Sequence, residues 1–177
     1  MITKKTELCI ARKFDPVRCR HSVNGETYVL HCHHYATLYT RLAEDCAMLD
    51  GKKLLQDVAE DVIYKILADY YGGHAIASVA ERIAIGEQYY SFTGLGQMRV
   101  VSAGADSAEV DLLHSHVDSG WIKKWGQRDK PVNYISCGFV AGMLAAALGK
   151  GLRSFSVTEA ACIVSGAEQS RLTAVAL

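Results

Sequence analysis

The spacing of apolar residues changes along the first third of the chain. Two short strand-like segments flank Asn24-Gly25, and this dipeptide supplies the positive φ angles of a two-residue hairpin turn. From His33 onward apolar positions recur every three or four residues, which predicts an amphipathic helix ending at Asp50-Gly51. A second helix is predicted over 53–71. The apolar positions of the two helices are Tyr35, Leu38, Leu42, Cys46 and Leu49, then Leu54, Leu55, Val58, Val62, Ile66 and Tyr70.

The second half of the chain turns to strand patterns. After a third predicted helix over 74–87 come QMRVVSA and SAEVDLLHSH, two strands with a turn at Gly104 between them. A helix of small residues is predicted over 132–148, and RSFSVTEAACIVSG and QSRLTAVAL are predicted as a closing pair of strands. Helices followed by strands predict an α+β fold, with an N-terminal hairpin and helices packed on an antiparallel sheet. Since there is no repeat or linker, residues 1–177 are expected to form one domain.

Composition excludes several classes of protein. Half of the residues are hydrophobic and 21% are charged, which is typical of a globular protein. Lys plus Arg equals Asp plus Glu at 19 each, so net charge favours neither nucleic acid nor an anionic membrane. No apolar run approaches the roughly 20 residues that span a bilayer, and the start of the chain does not have the apolar core of a secretory signal. None of the six cysteines forms a C-x-x-C pair, and the cytoplasm is the expected location.

Four possible metal ligands, His31, Cys32, His33 and His34, stand together where the first helix begins. Imidazole and thiolate suit zinc, iron or copper, and one helical histidine can bind a haem iron from one side. On a helix His34 would share a face with Tyr35 and Leu38, so His34 is expected to face the interior. The alternative is that these histidines cap backbone groups and face solvent.

A second histidine pair, His114 and His116, lies at the end of a predicted strand, where alternate residues point the same way. The candidate ligand-binding residues are His34, Tyr35, Leu38, His114, His116 and Trp121. The chain contains neither a phosphate-binding loop nor a dinucleotide fingerprint, so no nucleotide cofactor is expected.

Residues 94–177 carry a family resemblance. The segments GLG, HSHVDSG, PVNYISCGFVAGMLAAALGK and VTEAACIVSGAEQS occur in that order. Together they resemble the 4-vinyl reductase domain family, in which a short polar loop precedes a cysteine-led helix and an E-x-x-C segment. The resemblance implies a fold shared with a Golgi-transport tethering subunit and with haem-based nitric oxide sensors. It also implies a small apolar ligand enclosed between helices and sheet, and a homodimer formed through the N-terminal helices.

The resemblance also bears on metal binding. Aromatic-sensing members of the family hold zinc with three cysteines and a glutamate, and Cys137, Glu159 and Cys162 match three of these positions. The fourth is Ser170, and a hydroxyl is a poor zinc ligand. Two alternatives follow: the remaining three residues retain a zinc ion, or the metal is lost and the two cysteines are ordinary buried residues.

Two functions are therefore predicted. The first is binding of a small apolar or tetrapyrrole-type ligand in an internal cavity. The alternative is a metal- or haem-dependent enzyme that uses the cluster from His31 to His34 for redox chemistry on an unsaturated small molecule. A tethering role, suggested by fold kinship alone, ranks behind both because fold does not determine function.

Overall fold

The computed structural model describes residues 6–29 and 32–177. Its main elements, in chain order, are β1 (Arg12–Asp15), β2 (Arg20–Val23), β3 (Glu26–Tyr28), α1 (His33–Asp45), α2 (Gly51–Gly73), α3 (Val79–Phe92), β4 (Gly96–Ala103), β5 (Ser107–Ser115), α4 (His116–Trp125), α5 (Tyr134–Leu148), β6 (Phe155–Ala161) and β7 (Ser170–Ala176). The helices and the antiparallel strands confirm the predicted α+β class.

The strands form two separate antiparallel sheets. β1, β2 and β3 make a small three-stranded sheet, and its β2–β3 turn is the predicted one, with φ of 50° at Asn24 and 91° at Gly25. The main sheet has the order β4-β5-β7-β6, so β7, the last strand along the chain, lies between β5 and β6.

Helix α5 lies at the centre of the molecule. Thirteen of its fifteen residues are buried, and it contacts both α2 and β6. Glycines make the contact with α2 close: a Cβ on Gly138 would overlap the backbone carbonyl oxygen of Gln56 and lie 2.8 Å from the Ala59 Cβ. The small-residue pattern predicted over 132–148 is therefore a packing surface for a second helix backbone.

Three helices differ from their predictions. α1 ends at Asp45 rather than at Asp50-Gly51, and a separate short helical turn covers Ala47–Leu49. α3 begins at Val79 rather than at 74, because Ser78 and Glu81 form a capping box that fixes its first turn. α4 was not predicted, since β5 runs into it without a glycine or proline between them. Its N-cap is Ser115, whose Oγ accepts a hydrogen bond from the Asp118 backbone N–H at 3.1 Å.

The predicted buried face of α1 is wrong for the single chain. Tyr35 and Leu38 are exposed, and the buried residues are Ala36, Thr37 and Thr40. The reason is the close approach of α1 to α4, where a Cβ on Gly120 would lie 2.8 Å from the Thr37 side chain. Only small side chains fit in this contact.

None of the helices in the described residues is long and apolar enough to cross a membrane.

Candidate functional site

A cavity of about 620 Å³ lies between the small sheet and the connection from α3 to β4. This volume is within the range of sites that hold small organic molecules. The lining is mostly apolar, with two histidines and two cationic residues. The residues are Arg12, Lys13, Phe14, His21, Ser22, Val23, Tyr28, Val29, Phe92, Thr93, Gly94, Leu95 and His116.

One face of the small sheet forms a wall of this cavity. Directly paired residues of antiparallel strands present their side chains on the same face. Arg12 pairs with Val23, and Phe14 pairs with His21, which pairs in turn with Tyr28. All five line the cavity, and the Phe14 and His21 rings contact each other at 4.7 Å between centroids. The alternation of the strands thus places a continuous, largely aromatic surface over the cavity.

The opposite wall comes from the end of α3 and the start of α4. The His116 backbone N–H donates to the Leu95 carbonyl oxygen at 2.9 Å, which fixes these two lining residues together. Gly96 permits this contact: its φ is 134°, and a Cβ there would overlap the backbone carbonyl of His114. Phe92 completes the wall, with the Arg12 guanidinium carbon 4.9 Å from its ring centroid.

Of the ligand-binding residues predicted from the sequence, some line the cavity and others lie elsewhere. His116 lines the cavity and is half-buried. His114 is exposed on β5. Because β5 ends at Ser115, His116 belongs to the next helix, and the two histidines do not share a strand face as the alternation predicted. His34, Tyr35 and Leu38 are exposed on α1 and are not among the lining residues. Trp121 is also absent from the lining: it is buried with Ala36, Val117, Val132, Cys162 and Val164 in a second core cluster.

The predicted metal cluster at the start of α1 is only partly assembled. His31 lies outside the described residues. Cys32 and His34 are exposed, with 3.4 Å between Cys32 Sγ and His34 Nδ1. The His33 ring stands 5.8 Å from that of His116, and its buried Nε2 has no hydrogen-bond partner among the described residues. Burial is the first cause of a lowered pKa for His33, followed by His34 and Lys123.

A buried polar cluster joins α4, α5 and the main sheet, and Asn133 is its centre. The Asn133 side-chain NH₂ donates to Glu159 Oε1 at 2.6 Å and to Asp118 Oδ2 at 2.9 Å. Its amide oxygen accepts from the Ser115 hydroxyl at 2.7 Å. The backbone N–H groups of Val132 and Asn133 donate to Glu159 Oε2, both at 3.1 Å. A single amide therefore bridges two carboxylates.

Two further residues of the cluster donate hydrogen bonds to Asp118. Ser170 donates from its hydroxyl to Asp118 Oδ2 at 2.9 Å and accepts the Ile163 backbone N–H at 3.0 Å. Cys162 donates from Sγ to Asp118 Oδ1 at 3.5 Å. Burial raises the pKa of Asp118, and the neighbouring Glu159 adds to the effect. Burial, with Glu159 second, raises the pKa of the Cys162 thiol to about 12 and also raises that of Cys137.

Comparisons with known proteins test the fold. The phenol-responsive sensory domain of the transcription activator PoxR, with phenol, superimposes with a TM-score of 0.77 at 14% identity, over 93% of this chain and 84% of that one. This chain has the same fold. A trafficking protein particle complex subunit 3 from Naegleria fowleri, covalently bound to palmitic acid, has a TM-score of 0.51 at 13% identity, over 82% and 94% of the chains.

The fold relationship to a transport-complex subunit is therefore confirmed together with that to an aromatic-sensing protein. A vinyl-4-reductase family protein from Methanocaldococcus jannaschii has a TM-score of 0.48 at 12% identity, over 86% of this chain and 99% of that one. No family model and no curated protein matches the chain.

The polar cluster occupies the place where the sequence resemblance implies zinc. Among the described residues, possible ligand atoms of Asp118, Glu159 and Cys162 lie within 4.8 Å of one another. A cation bound to both carboxylates would have to sit between them, where the NH₂ group of Asn133 already donates to both. A zinc ion between Asp118 and Glu159 does not fit this arrangement, because the hydrogen-bond donor of Asn133 fills that position.

Ser115, Asp118 and Asn133 are residues of this cluster that sequence reasoning did not assign. Asp118 is the third residue of an unpredicted helix, so no pattern placed it beside the sheet. Asn133 was detectable only as a residue suited to helix capping directly before α5.

Proposed function

We propose that this protein binds a small molecule with an apolar body in the cavity between the small sheet and the α3–β4 connection. The observation that carries the proposal is the cavity itself: about 620 Å³, lined by aromatic and aliphatic side chains, with a few polar groups at its walls. A concave, mostly apolar site with few polar groups is the usual form of a small-molecule site.

Two neighbours in fold support this proposal. The PoxR sensory domain was solved with phenol, and the trafficking subunit carries covalently bound palmitic acid. Both ligands are small molecules with apolar bodies, so the shared fold is compatible with holding such molecules. The ligand of this chain is proposed from its own cavity, since fold alone does not determine the ligand.

The cavity can be blocked from the small sheet. Val23 lines it from β2, and Val23→Trp is expected to fill part of the space and weaken binding of any cavity ligand by at least about tenfold. The control is Val175→Trp, a substitution of the same size at an exposed residue of β7 that does not line the cavity. Calorimetric titration with aromatic and aliphatic probes, with circular dichroism as a folding check, measures the effect. Equal affinity in the two variants would contradict the proposed location.

We also propose a homodimer formed through α1 and α2. Among the described residues, both helices expose apolar side chains: Leu38 and Leu42 on α1, and Leu54, Val58 and Val62 on α2. Apolar surfaces of this extent are typical of interfaces. The apolar stripe that the sequence placed against the core is thus available to a second copy, in a self-complementary contact.

Charge placed on this surface is expected to separate the dimer. Leu42→Arg and Val58→Arg alter exposed positions of α1 and α2, so each should leave the fold intact while burying an unpaired charge in the dimer. Light scattering should give a dimer mass for the unchanged protein and a monomer mass for each variant. Val101→Arg, at an exposed position of β4, should remain dimeric. A monomeric unchanged protein would contradict the proposal.

The metal- or haem-dependent enzyme is the less supported alternative. Its one specific observation is His33, whose buried Nε2 has no hydrogen-bond partner among the described residues and whose ring centroid lies 5.8 Å from that of His116. Metal analysis and absorption spectroscopy of the purified protein distinguish the two functions. Stoichiometric metal or haem that is lost in His33→Ala would favour the enzyme.

A further inference from the structure

The charges around the proposed cavity point to one chemical class of ligand. Of the residues that the structure describes, its lining contains Arg12, Lys13 and two histidines but no aspartate or glutamate. The whole chain has as many acidic as basic residues, so this imbalance is a local property of the cavity wall.

Arg12 is the cationic residue whose side chain is directed towards the cavity. Its guanidinium carbon lies 4.9 Å from the ring centroid of Phe92, across from the small sheet. Lys13 is the next residue of β1, so its side chain leaves the strand on the opposite face. Arg12 therefore spans the cavity between its two walls.

Arg12 also has no acidic partner among the described residues. Other arginines form ion pairs, including Arg128 with Glu44 and Arg171 with Asp111, but no carboxylate oxygen in the described part of the chain lies within 4.0 Å of the Arg12 guanidinium. Its positive charge faces an aromatic and aliphatic surface instead. A guanidinium presents several N–H donors in a planar arrangement that matches a carboxylate.

We infer that the ligand is an apolar carboxylic acid in its anionic form, bound with its carboxylate against Arg12 and its apolar body along Phe14, Tyr28 and Phe92. This inference rests on the proposed function, because it names the ligand class of the same cavity. The aromatic rings supply the contact area for the body, and the arginine supplies a charge-assisted hydrogen bond for the head.

Matched pairs of probes test the inference. Each pair has the same body and differs only in its head: 3-phenylpropionate against 3-phenylpropan-1-ol, and octanoate against 1-octanol. Calorimetric titration of the full chain should give at least about fivefold tighter binding for the carboxylate of the preferred pair. Rising sodium chloride should weaken binding of the carboxylate and leave that of the alcohol unchanged, since salt screens an exposed charge.

Variants of Arg12 assign the preference to this residue. Arg12→Met keeps an unbranched side chain over Phe92 and should remove the carboxylate preference while alcohol binding persists. Arg12→Lys should retain part of the preference. Arg20→Met is the matched control, because Arg20 pairs with Asp15 on the other face of the small sheet and does not line the cavity.

The outcomes separate the two proposals. Binding of alcohol and carboxylate with equal affinity would overturn the inference and leave the cavity as a small-molecule site. Equal loss of both probes in Arg12→Met would also overturn it, since Arg12 would then act through packing alone. No saturable binding of any probe would count against the proposed function itself.

Discussion

Replacing Gly138 by alanine is expected to lower the free energy of unfolding by about 3 kcal/mol, at the upper end of the usual cost of overpacking a core. The added Cβ would overlap the carbonyl oxygen of Gln56 and lie 2.9 Å from its carbonyl carbon. These are backbone atoms of α2, so no side-chain rotation can relieve the overlap. The two helices would have to separate along the contact that holds the centre of the molecule together.

Gly72→Ala is the matched control for this prediction. Gly72 lies in the last turn of α2, and a Cβ there would meet no atom within 4 Å. Alanine at this position is expected to stabilise the protein by up to about 0.5–1 kcal/mol, because glycine in a helix loses more conformational freedom on folding. Urea unfolding followed by circular dichroism measures both variants. A Gly138→Ala protein as stable as the original would show that α2 and α5 are not packed as described.

Asn133→Asp is expected to destabilise the protein by about 4 kcal/mol at neutral pH, the usual effect of an uncompensated buried charge. The substitution keeps the size of the side chain. It replaces the NH₂ group that hydrogen-bonds to Asp118 and Glu159 by an oxygen atom of a third carboxylate. Lowering the pH should return part of the stability, because protonation of the carboxyl groups removes their repulsion. Asn24→Asp, an isosteric change at the exposed hairpin turn, should cost less than about 1 kcal/mol.

The hydrogen bonds of this polar cluster also predict how the melting temperature responds to removal of metal ions. Since a protein amide occupies the position between the carboxylates, treatment of the unchanged protein with EDTA should leave its melting temperature unaltered. A melting temperature that falls on chelation and recovers with zinc would contradict the assignment of Asn133 as the bridge. Ser170→Ala is a useful comparison, because it removes one hydrogen bond to Asp118 and leaves the Asn133 bridge intact.

Much of the fold could be predicted because local signals and packing agree. Asn24-Gly25 marks a turn whose backbone conformation few other dipeptides adopt, and the small residues of α5 permit the close approach to α2. The helix α4 and the buried face of α1 could not be predicted. The helix α4 follows β5 without a glycine or proline to mark its start. The buried face of α1 depends on the contact at Gly120, which joins segments far apart in the chain.

The candidate site was harder to predict for the same reason. His116 was identified, but its neighbours in the cavity come from the hairpin strands and from the end of α3, and only tertiary structure brings these together. In the polar cluster, Glu159 and Cys162 followed from the family resemblance. Asp118 and Asn133 form the hydrogen bonds that link the two carboxylates, and neither stands in a sequence pattern that indicates this role.

The position of a bound ligand on the protein can be measured in solution. We would titrate isotope-labelled protein with the tighter-binding probe of the preferred pair and follow the backbone amide signals by nuclear magnetic resonance. We expect saturable shifts concentrated in β1–β3, in residues 92–95 and at His116, with little change along β6 and β7. Saturable binding whose largest shifts lie elsewhere, such as along α5 and the main sheet, would contradict the proposed site.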